Sequence, residues 1–461
     1  MVITRKNKPV TALAWILAII FIPFGGAIMY LVFGTERIVN KGRVKMFSNE
    51  RLSGRLEQIE EEWAPKTTKN SHHRLPEEMQ QIIRLSRKFS LFDVVGSNSI
   101  QLLTDVKTAY GEIEAAIQSA RHHVNLEYYL FRPDEVGERF RDLLVKKAKE
   151  GVKINFLYDA IGSWKLGWDD RFLQPLRDAG VKPVDFLPLR TFFKPWNINL
   201  RNHRKILVVD DKIGFTGSLN IGREFLYGDE RGRIWRETHL AMRGPAVTQL
   251  QWIFCEDWYF STGEELLMQE YFLAVDHAGE EVAQVVASGP DVREKAIHKV
   301  MLNAISQAKK SVYLTTPYFI PDQALSLALQ LAALREVDVK ILVPKQSDHT
   351  FVSWAGRSYY DELLKDNVEI YEYLPGYLHA KMLVVDGFFS VIGSANTDIR
   401  SFDYDFEVNV QVYSDGFAAR AERVFLKDLQ SSQKIDYWKF AKRSAYTRFG
   451  ENVCRLFSPL L

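Results

Sequence analysis

Cysteine is nearly absent from this 461-residue chain. Cys255 and Cys454 are the only two, they have no framework spacing, and they read as reduced thiols of a cytosolic domain rather than a disulfide scaffold. Excess charge is absent as well: 60 Lys and Arg against 58 Asp and Glu leave a net charge of +2, which argues against a protein devoted to nucleic acid. No G-x-x-x-x-G-K-[ST] loop occurs, so no nucleotide is expected. Long apolar runs are confined to one, residues 9 to 33, which hold no charge and exceed the roughly 20 residues a bilayer span needs. No small-x-small cleavage site follows it, which disfavours a removed signal peptide. Pro23, Gly25 and Gly26 interrupt the run, so a bent span over 10 to 33 and a re-entrant turn both fit. Arg5, Lys6 and Lys8 precede it and Arg37, Lys41, Arg43 and Lys45 follow, an excess that favours a cytoplasmic body.

What the chain does contain is one pattern written twice. His203, Lys205 and Asp210 form H-x-K-x4-D, and His379, Lys381 and Asp386 form it again. Each copy meets a G-S-x-N tetrad, Gly217 to Asn220 and Gly393 to Asn396, with 14 residues from His to Gly in both. A lone H-x-K-x4-D recurs by chance on charged strands, but two copies with matched tetrads and matched apolar runs do not. Side chains alternate along a strand, so His203 and Lys205 share a face, as do His379 and Lys381, while 206 to 209 and 382 to 385 read as buried strand. Such a set suits phosphate chemistry. Lysine supplies a point charge, Ser and Asn supply neutral donors, and His exchanges a proton near neutrality or attacks phosphorus itself. Lysine is a poor metal ligand and no carboxylate or second His stands at ligand spacing, so neither metal nor other cofactor is expected.

The duplicated motif resembles the phospholipase D superfamily, and its surroundings are similar to bacterial cardiolipin synthases. Leu126-Glu127-Tyr128-Tyr129, Trp235-Arg236-Glu237-Thr238-His239, Arg400-Ser401-Phe402 and the final Ser458 to Leu461 carry the closer likeness, which covers the chain from about residue 10 onward. The resemblance implies that His203 is the nucleophile of a phosphohistidine intermediate and His379 the acid and then the base. Sequence symmetry alone does not assign those roles. It further implies that Lys205, Lys381, Asn220 and Asn396 hold the phosphate with Ser218 and Ser394 near it, and that Glu237 and Glu407 fix the imidazoles. Asp210 and Asp386 complete the catalytic motifs and are expected to organise loops rather than touch phosphorus. The implied reaction moves a phosphatidyl group from one phosphatidylglycerol to another, giving cardiolipin and glycerol, with anionic membrane lipid as the partner. A phospholipase D or transphosphatidylase with another acceptor is the alternative, and a membrane-tethered nuclease a weaker one. The D-G-x2-A-R pattern of the metal-dependent CDP-alcohol transferases is absent. The family usually carries two N-terminal spans, whereas one apolar run is visible here.

The expected fold is α/β: two phospholipase D-like mixed-sheet sandwich halves packed as a pseudo-dimer behind an N-terminal membrane segment. We divide the chain into an anchor (1–45), a linker (46–91), a first half (92–275) and a second half with a basic C-terminal segment (276–461). Ala116-Ile117-x-x-Ala120 and Pro133-Asp134 recur as Ala304-Ile305-x-x-Ala308 and Pro321-Asp322, 188 residues on, while the two His lie 176 apart. The first half therefore carries about a dozen extra residues near Leu189 to Leu200. Within them, the aromatic and lysine-bearing stretch Thr191 to Trp196 reads either as a membrane-dipping lip or as an ordinary packed loop. The paired His72 and His73 fall in the linker, where a solvated reading outweighs a metal site. Basic and aromatic residues from Lys434 to Arg455 read as a helix lying on an anionic leaflet or, with slight preference, as one closing the second half.

Overall fold

The computed structural model describes residues 9–33, 45, 76–188, 200–230, 232–266, 277–291, 295–347 and 349–458. The Thr191 to Trp196 stretch and the His72-His73 pair lie outside these residues.

Strands β1 (Val95–Leu103), β2 (His123–Tyr128), β3 (Lys153–Asp159), β4 (Lys182–Phe186), β5 (Arg201–Asn202), β6 (Lys205–Val209), β7 (Ile213–Gly217), β8 (Trp235–Arg236) and β9 (His239–Arg243) belong to the first half. The second half supplies β10 (Glu281–Ser288), β11 (Ser311–Thr315), β12 (Phe319–Ile320), β13 (Asp338–Pro344), β14 (Glu369–Tyr373), β15 (Tyr377–Leu378), β16 (Met382–Val385), β17 (Phe389–Gly393), β18 (Thr397–Asp398), β19 (Asp405–Tyr413) and β20 (Ser432–Lys434). The first half runs β1-β9-β7-β6-β2-β3-β4 and the second β10-β19-β17-β16-β11-β13-β14-β20. Seven strands correspond one for one, and β20 adds an edge strand to the second half. Antiparallel pairing of β1 with β10 joins them into one 16-stranded mixed sheet.

Period-two alternation sorts the motif strands between layers. Ile206 and Val208 of β6 join Met382 and Val384 of β16 in a core shared by both halves, together with the helices Ala246–Thr262 and Asp415–Gln430. Leu207 and Val209 face the first half's outer helices, whereas Leu383 and Val385 face the second half's. Each such buried Leu or Val contributes about 1.5–3 kcal/mol, so β6 and β16 are anchored on both faces. The repeated Pro-Asp pairs start equivalent helices: Asp134 caps Glu135–Lys149 through Val136 N and Gly137 N, and Asp322 caps Gln323–Leu334 through Leu325 N.

Of the two readings of the apolar run the turn-back is the one formed, and one expectation changes. The apolar run is not one span but two helices, Pro9–Phe21 and Pro23–Phe33, about 20 and 17 Å long and each short of the roughly 30 Å hydrocarbon core. The rings of Trp15 and Tyr30 meet edge-on at 5.6 Å, although 15 residues of straight helix would separate them by about 22 Å. Pro23, which suits the first turn of a helix but cannot continue the preceding one, marks the fold-back. Among the described residues no helix is long and apolar enough to cross a membrane. Part of the expected linker is also ordered core: the helix Glu77–Phe89 buries Met79, Ile82 and Ile83 with the second half's helix Ala296–Gln307.

Candidate active site

Each motif is entered through a strand that crosses to the other half. β5, just before His203, pairs in parallel with β19, Asn202 opposite Phe406, and His203 N donates to the Phe406 carbonyl at 2.9 Å. β15, just before His379, pairs in parallel with β8, Leu378 opposite Arg236, and His379 N donates to the Arg236 carbonyl at 2.9 Å. One residue beyond each carbonyl stands a glutamate. Glu407 therefore lies 2.9 and 3.1 Å from His203 Nδ1, and Glu237 lies 2.9 and 3.0 Å from His379 Nδ1. The sequence names both carboxylates but not this exchange, in which each half orients the other half's imidazole. A carboxylate at Nδ1 fixes that nitrogen as the N–H and turns Nε2 outward.

Both imidazoles line one cavity of about 630 Å³, with Asn220, Asn396, Tyr129, Trp235, Arg201 and Arg400 among its walls. Tyr129 meets the His203 ring edge-on at 4.8 Å and Trp235 meets the His379 ring at 5.3 Å. The two lysines stand behind the imidazoles. Lys205 Nζ donates to the His203 carbonyl at 2.6 Å, while Lys381 Nζ lies 2.8 Å from the His379 carbonyl and 2.9 Å from His379 Nε2. His203 Nε2, by contrast, has no protein hydrogen-bond partner among the described residues.

Asn220 and Asn396 line the cavity with Oδ1 atoms that have no partner among the described residues, and a carboxamide that turns over presents its NH2 there instead. Ser218 and Ser394 sit elsewhere than expected. Ser218 Oγ donates to the Thr238 carbonyl at 2.8 Å, and Ser394 Oγ hydrogen-bonds Glu407 and the Val408 backbone, so both brace the glutamate strands one layer behind the cavity. The tetrad glycine has its own reason. A Cβ on Gly217, whose φ is 145°, would come within 2.5 Å of the Thr238 carbonyl, and one on Gly393 within 2.4 Å of the Val408 carbonyl. Asp210 and Asp386 are not cavity residues. With φ near 51° and 52°, they end β6 and β16 and gather backbone N–H groups, from Arg121, His122 and His123 in one half and from Lys309, Lys310 and Ser311 in the other.

Burial dominates the electrostatics. It pushes His203 down to about 4 against the pull of Glu407, and lowers His379 against Glu237. Glu407 and Glu237 are nevertheless held below the usual carboxylate range: desolvation is the largest influence and raises them, but the facing imidazole, the neighbouring lysine and a serine hydrogen bond together outweigh it. Burial also brings Lys205 down to about 7 and Asp405 up to about 8. Neutral imidazoles beside cations and arginines suit an arriving phosphodiester. Roles for Arg201, Asp398 and Asp405 carry no signal in the motifs. Tyr129, Trp235 and Arg400 stood in the stretches that carried the resemblance, without a role attached.

Paired His-Lys strands converging on one cavity from two like halves define a phospholipase D-type architecture. The family model described as cardiolipin synthase, PLD-like domain, matches residues 113–258 and 301–429, and a phospholipase D-nuclease N-terminal model matches residues 1–34. Relatives include the cardiolipin synthase of Geobacillus sp. (strain WCH70), 40% identical over 100% of this chain and 91% of that one. Cardiolipin synthase 2 of Bacillus anthracis is 37% identical over 100% and 89%. The solved phosphatidylserine synthase of Haemophilus influenzae Rd KW20 shares the fold at a TM-score of 0.61 and 13% identity, covering 84% of this chain and 100% of that one. The chain belongs to the cardiolipin synthase family.

Proposed function

We propose that His203 Nε2 attacks the phosphorus of phosphatidylglycerol while His379 Nε2 passes a proton, received from the Lys381 ammonium, to the departing glycerol oxygen. One P–O bond breaks and one P–N bond forms. The second half-reaction reverses this: His379 takes the proton from a glycerol hydroxyl of a second phosphatidylglycerol, whose oxygen displaces His203 to give cardiolipin. The protein is an enzyme, a phosphatidyltransferase of the cardiolipin synthase kind acting on phospholipid. The observation that carries the assignment is the unlike surroundings of the two Nε2 atoms. His203 Nε2 keeps its lone pair uncommitted, whereas His379 Nε2 shares a proton with Lys381 at 2.9 Å, which suits an acid.

Asn220, Asn396, Lys205 and Lys381 stabilise the charge that gathers on the phosphoryl oxygens, and Glu407 and Glu237 stabilise the imidazolium each step generates. The enzyme is membrane-associated, and its catalytic body faces the cytoplasm. In the sequence, basic residues at positions 5 to 8 precede the N-terminal helices and more at positions 37 to 43 follow them, which supports that orientation. Purified full-length protein incubated with phosphatidylglycerol alone, in EDTA, should yield cardiolipin and glycerol in equal amounts. Phosphatidic acid as the main product would make the protein a phospholipase D. Activity that disappears in EDTA and returns with one divalent ion would overturn the histidine-only mechanism.

A further inference from the structure

The C-terminal helix Ala445–Leu456 has three faces. Glu451 and Cys454 turn inward, and Arg443 ties the segment to Asp361 and Glu451. A second face carries Tyr446, Phe449, Val453 and Leu456 at helical spacing, and Tyr446, Phe449 and Leu456 are 90%, 70% and 78% exposed. By helical spacing Arg448 and Arg455 both lie along one side of that stripe, and Arg455 also packs over the Tyr359 ring at 4.2 Å. The stripe continues onto the helix Thr350–Arg357, where Phe351 packs edge-on to Phe457 at 5.6 Å and Trp354 is likewise exposed. Trp438, 71% exposed, stands on the neighbouring short helix Tyr437–Ala441.

What covers this apolar face is indicated by its position. On the same helix, or just ahead of it, Val352 and His349 line the catalytic cavity. Aromatic patch and cavity wall are thus two sides of one element. Aromatics with arginines at their edge are also the composition that settles at an anionic lipid interface.

We propose that the stripe Tyr446, Phe449 and Leu456, continued by Phe351 and Trp354, is the surface on which the catalytic body rests on an anionic phospholipid bilayer, with the cavity mouth presented to the lipid. The inference rests on the lipid reading of the cavity. It assigns a docking face distinct from the N-terminal hairpin.

The test uses the full chain carrying Phe449→Cys with a nitroxide label, the native Cys255 and Cys454 being buried. On vesicles of phosphatidylglycerol and phosphatidylcholine, the label should become more accessible to oxygen and less to a water-soluble nickel chelate, and less so on phosphatidylcholine alone. Nickel access equal to that in lipid-free micelles overturns the proposal. Spin–spin broadening of the label also overturns it, by showing that a second copy of the chain covers the stripe. In parallel, Tyr446→Ser with Phe449→Ser should lower transfer on vesicles about tenfold and leave transfer on monomeric short-chain phosphatidylglycerol within twofold. Equal rates on vesicles would count against docking. If both rates fall, or the unmodified protein transfers nothing, the activity reading is in question and the label alone decides the docking.

Discussion

Arg204 and Ala380 occupy the same place in the two motifs, between histidine and lysine, and their surroundings differ in kind. Arg204 is 1% exposed, and its Nη1 lies 2.5 Å from Asp257 Oδ2. Asp257 also holds Lys45 at 2.8 Å, and Lys45 holds Asp291 at 2.5 Å, so a residue from the segment after the hairpin is sealed beneath the first motif. Asn202 adds a hydrogen bond to Glu127, whose carboxyl is pushed well up by burial and by the nearby Asp257. Ala380 instead packs among Leu378, Met382 and Val384 in the shared core. Like His-Lys pairs at the cavity are therefore held in one half by a fully buried charge network and in the other by hydrocarbon. The first arrangement gains no net stability over an apolar one by default, because desolvation consumes most of the attraction, but it is costly to break.

The comparison is sharpest at the histidines themselves. His203→Asn removes the uncommitted ring nitrogen that lines the cavity, so no covalent lipid should be trapped and turnover should fall by at least about 10⁴-fold. His379→Asn removes the acid, which a p-nitrophenyl leaving group does not need. With a phosphatidyl p-nitrophenol substrate, that variant should accumulate an adduct on His203, read by peptide mass analysis. An adduct on His379 in the His203→Asn protein would exchange the two roles.

One layer back, the asymmetry should appear as stability. Arg204→Ala takes the guanidinium away from the buried Asp257 and should cost about 3–5 kcal/mol. Ala380→Ser places one hydroxyl in an apolar pocket and should cost about 1–3 kcal/mol. Urea midpoints of the full-length variants check the order. Equal shifts would mean that the buried network contributes no more than ordinary packing.

Much of this was legible in the residues, for reasons that differ from one feature to the next. The motif strands were visible because Ile206 to Val209 and Met382 to Val385 are apolar runs bounded by charged residues, a pattern that survives without tertiary context. The 188-residue offset was visible and holds down to single backbone contacts: Asp210 gathers residues 121 to 123 and Asp386 gathers 309 to 311. The exchange of Glu237 and Glu407 was not visible, because it follows from β5 and β15, two-residue strands that carry no periodicity. Nor did Lys45 announce itself. Between Arg43 and the polar stretch that follows, it looked like one more flanking charge, and only long-range packing against Asp257 and Asp291 distinguishes it. The N-terminal run showed its apolar length, while the fold-back depended on how Pro23 was resolved.

The smallest expected effect separates the two lysines by pH. In the proposed role Lys205 acts as the ammonium, and burial, opposed by Glu407, brings it down to about 7, so its charge disappears as pH rises through neutrality. In the free enzyme kcat/KM should therefore fall on the alkaline side, by about fivefold between pH 7 and 8 for loss of one proton. Bound phosphodiester supplies a facing negative charge, so the corresponding limb in kcat should lie higher. His203, pushed down to about 4, stays neutral throughout this range and adds no acid limb near neutrality. Lys205→Arg keeps its charge at every accessible pH and should abolish the alkaline limb while lowering the absolute rate, because a planar guanidinium does not fit an ammonium's place. Lys381→Arg should lower the rate and leave the limb where it was. If instead the limb persists in Lys205→Arg, the titrating group is another cavity residue, with Asp405, pushed up to about 8 by its burial, next in line.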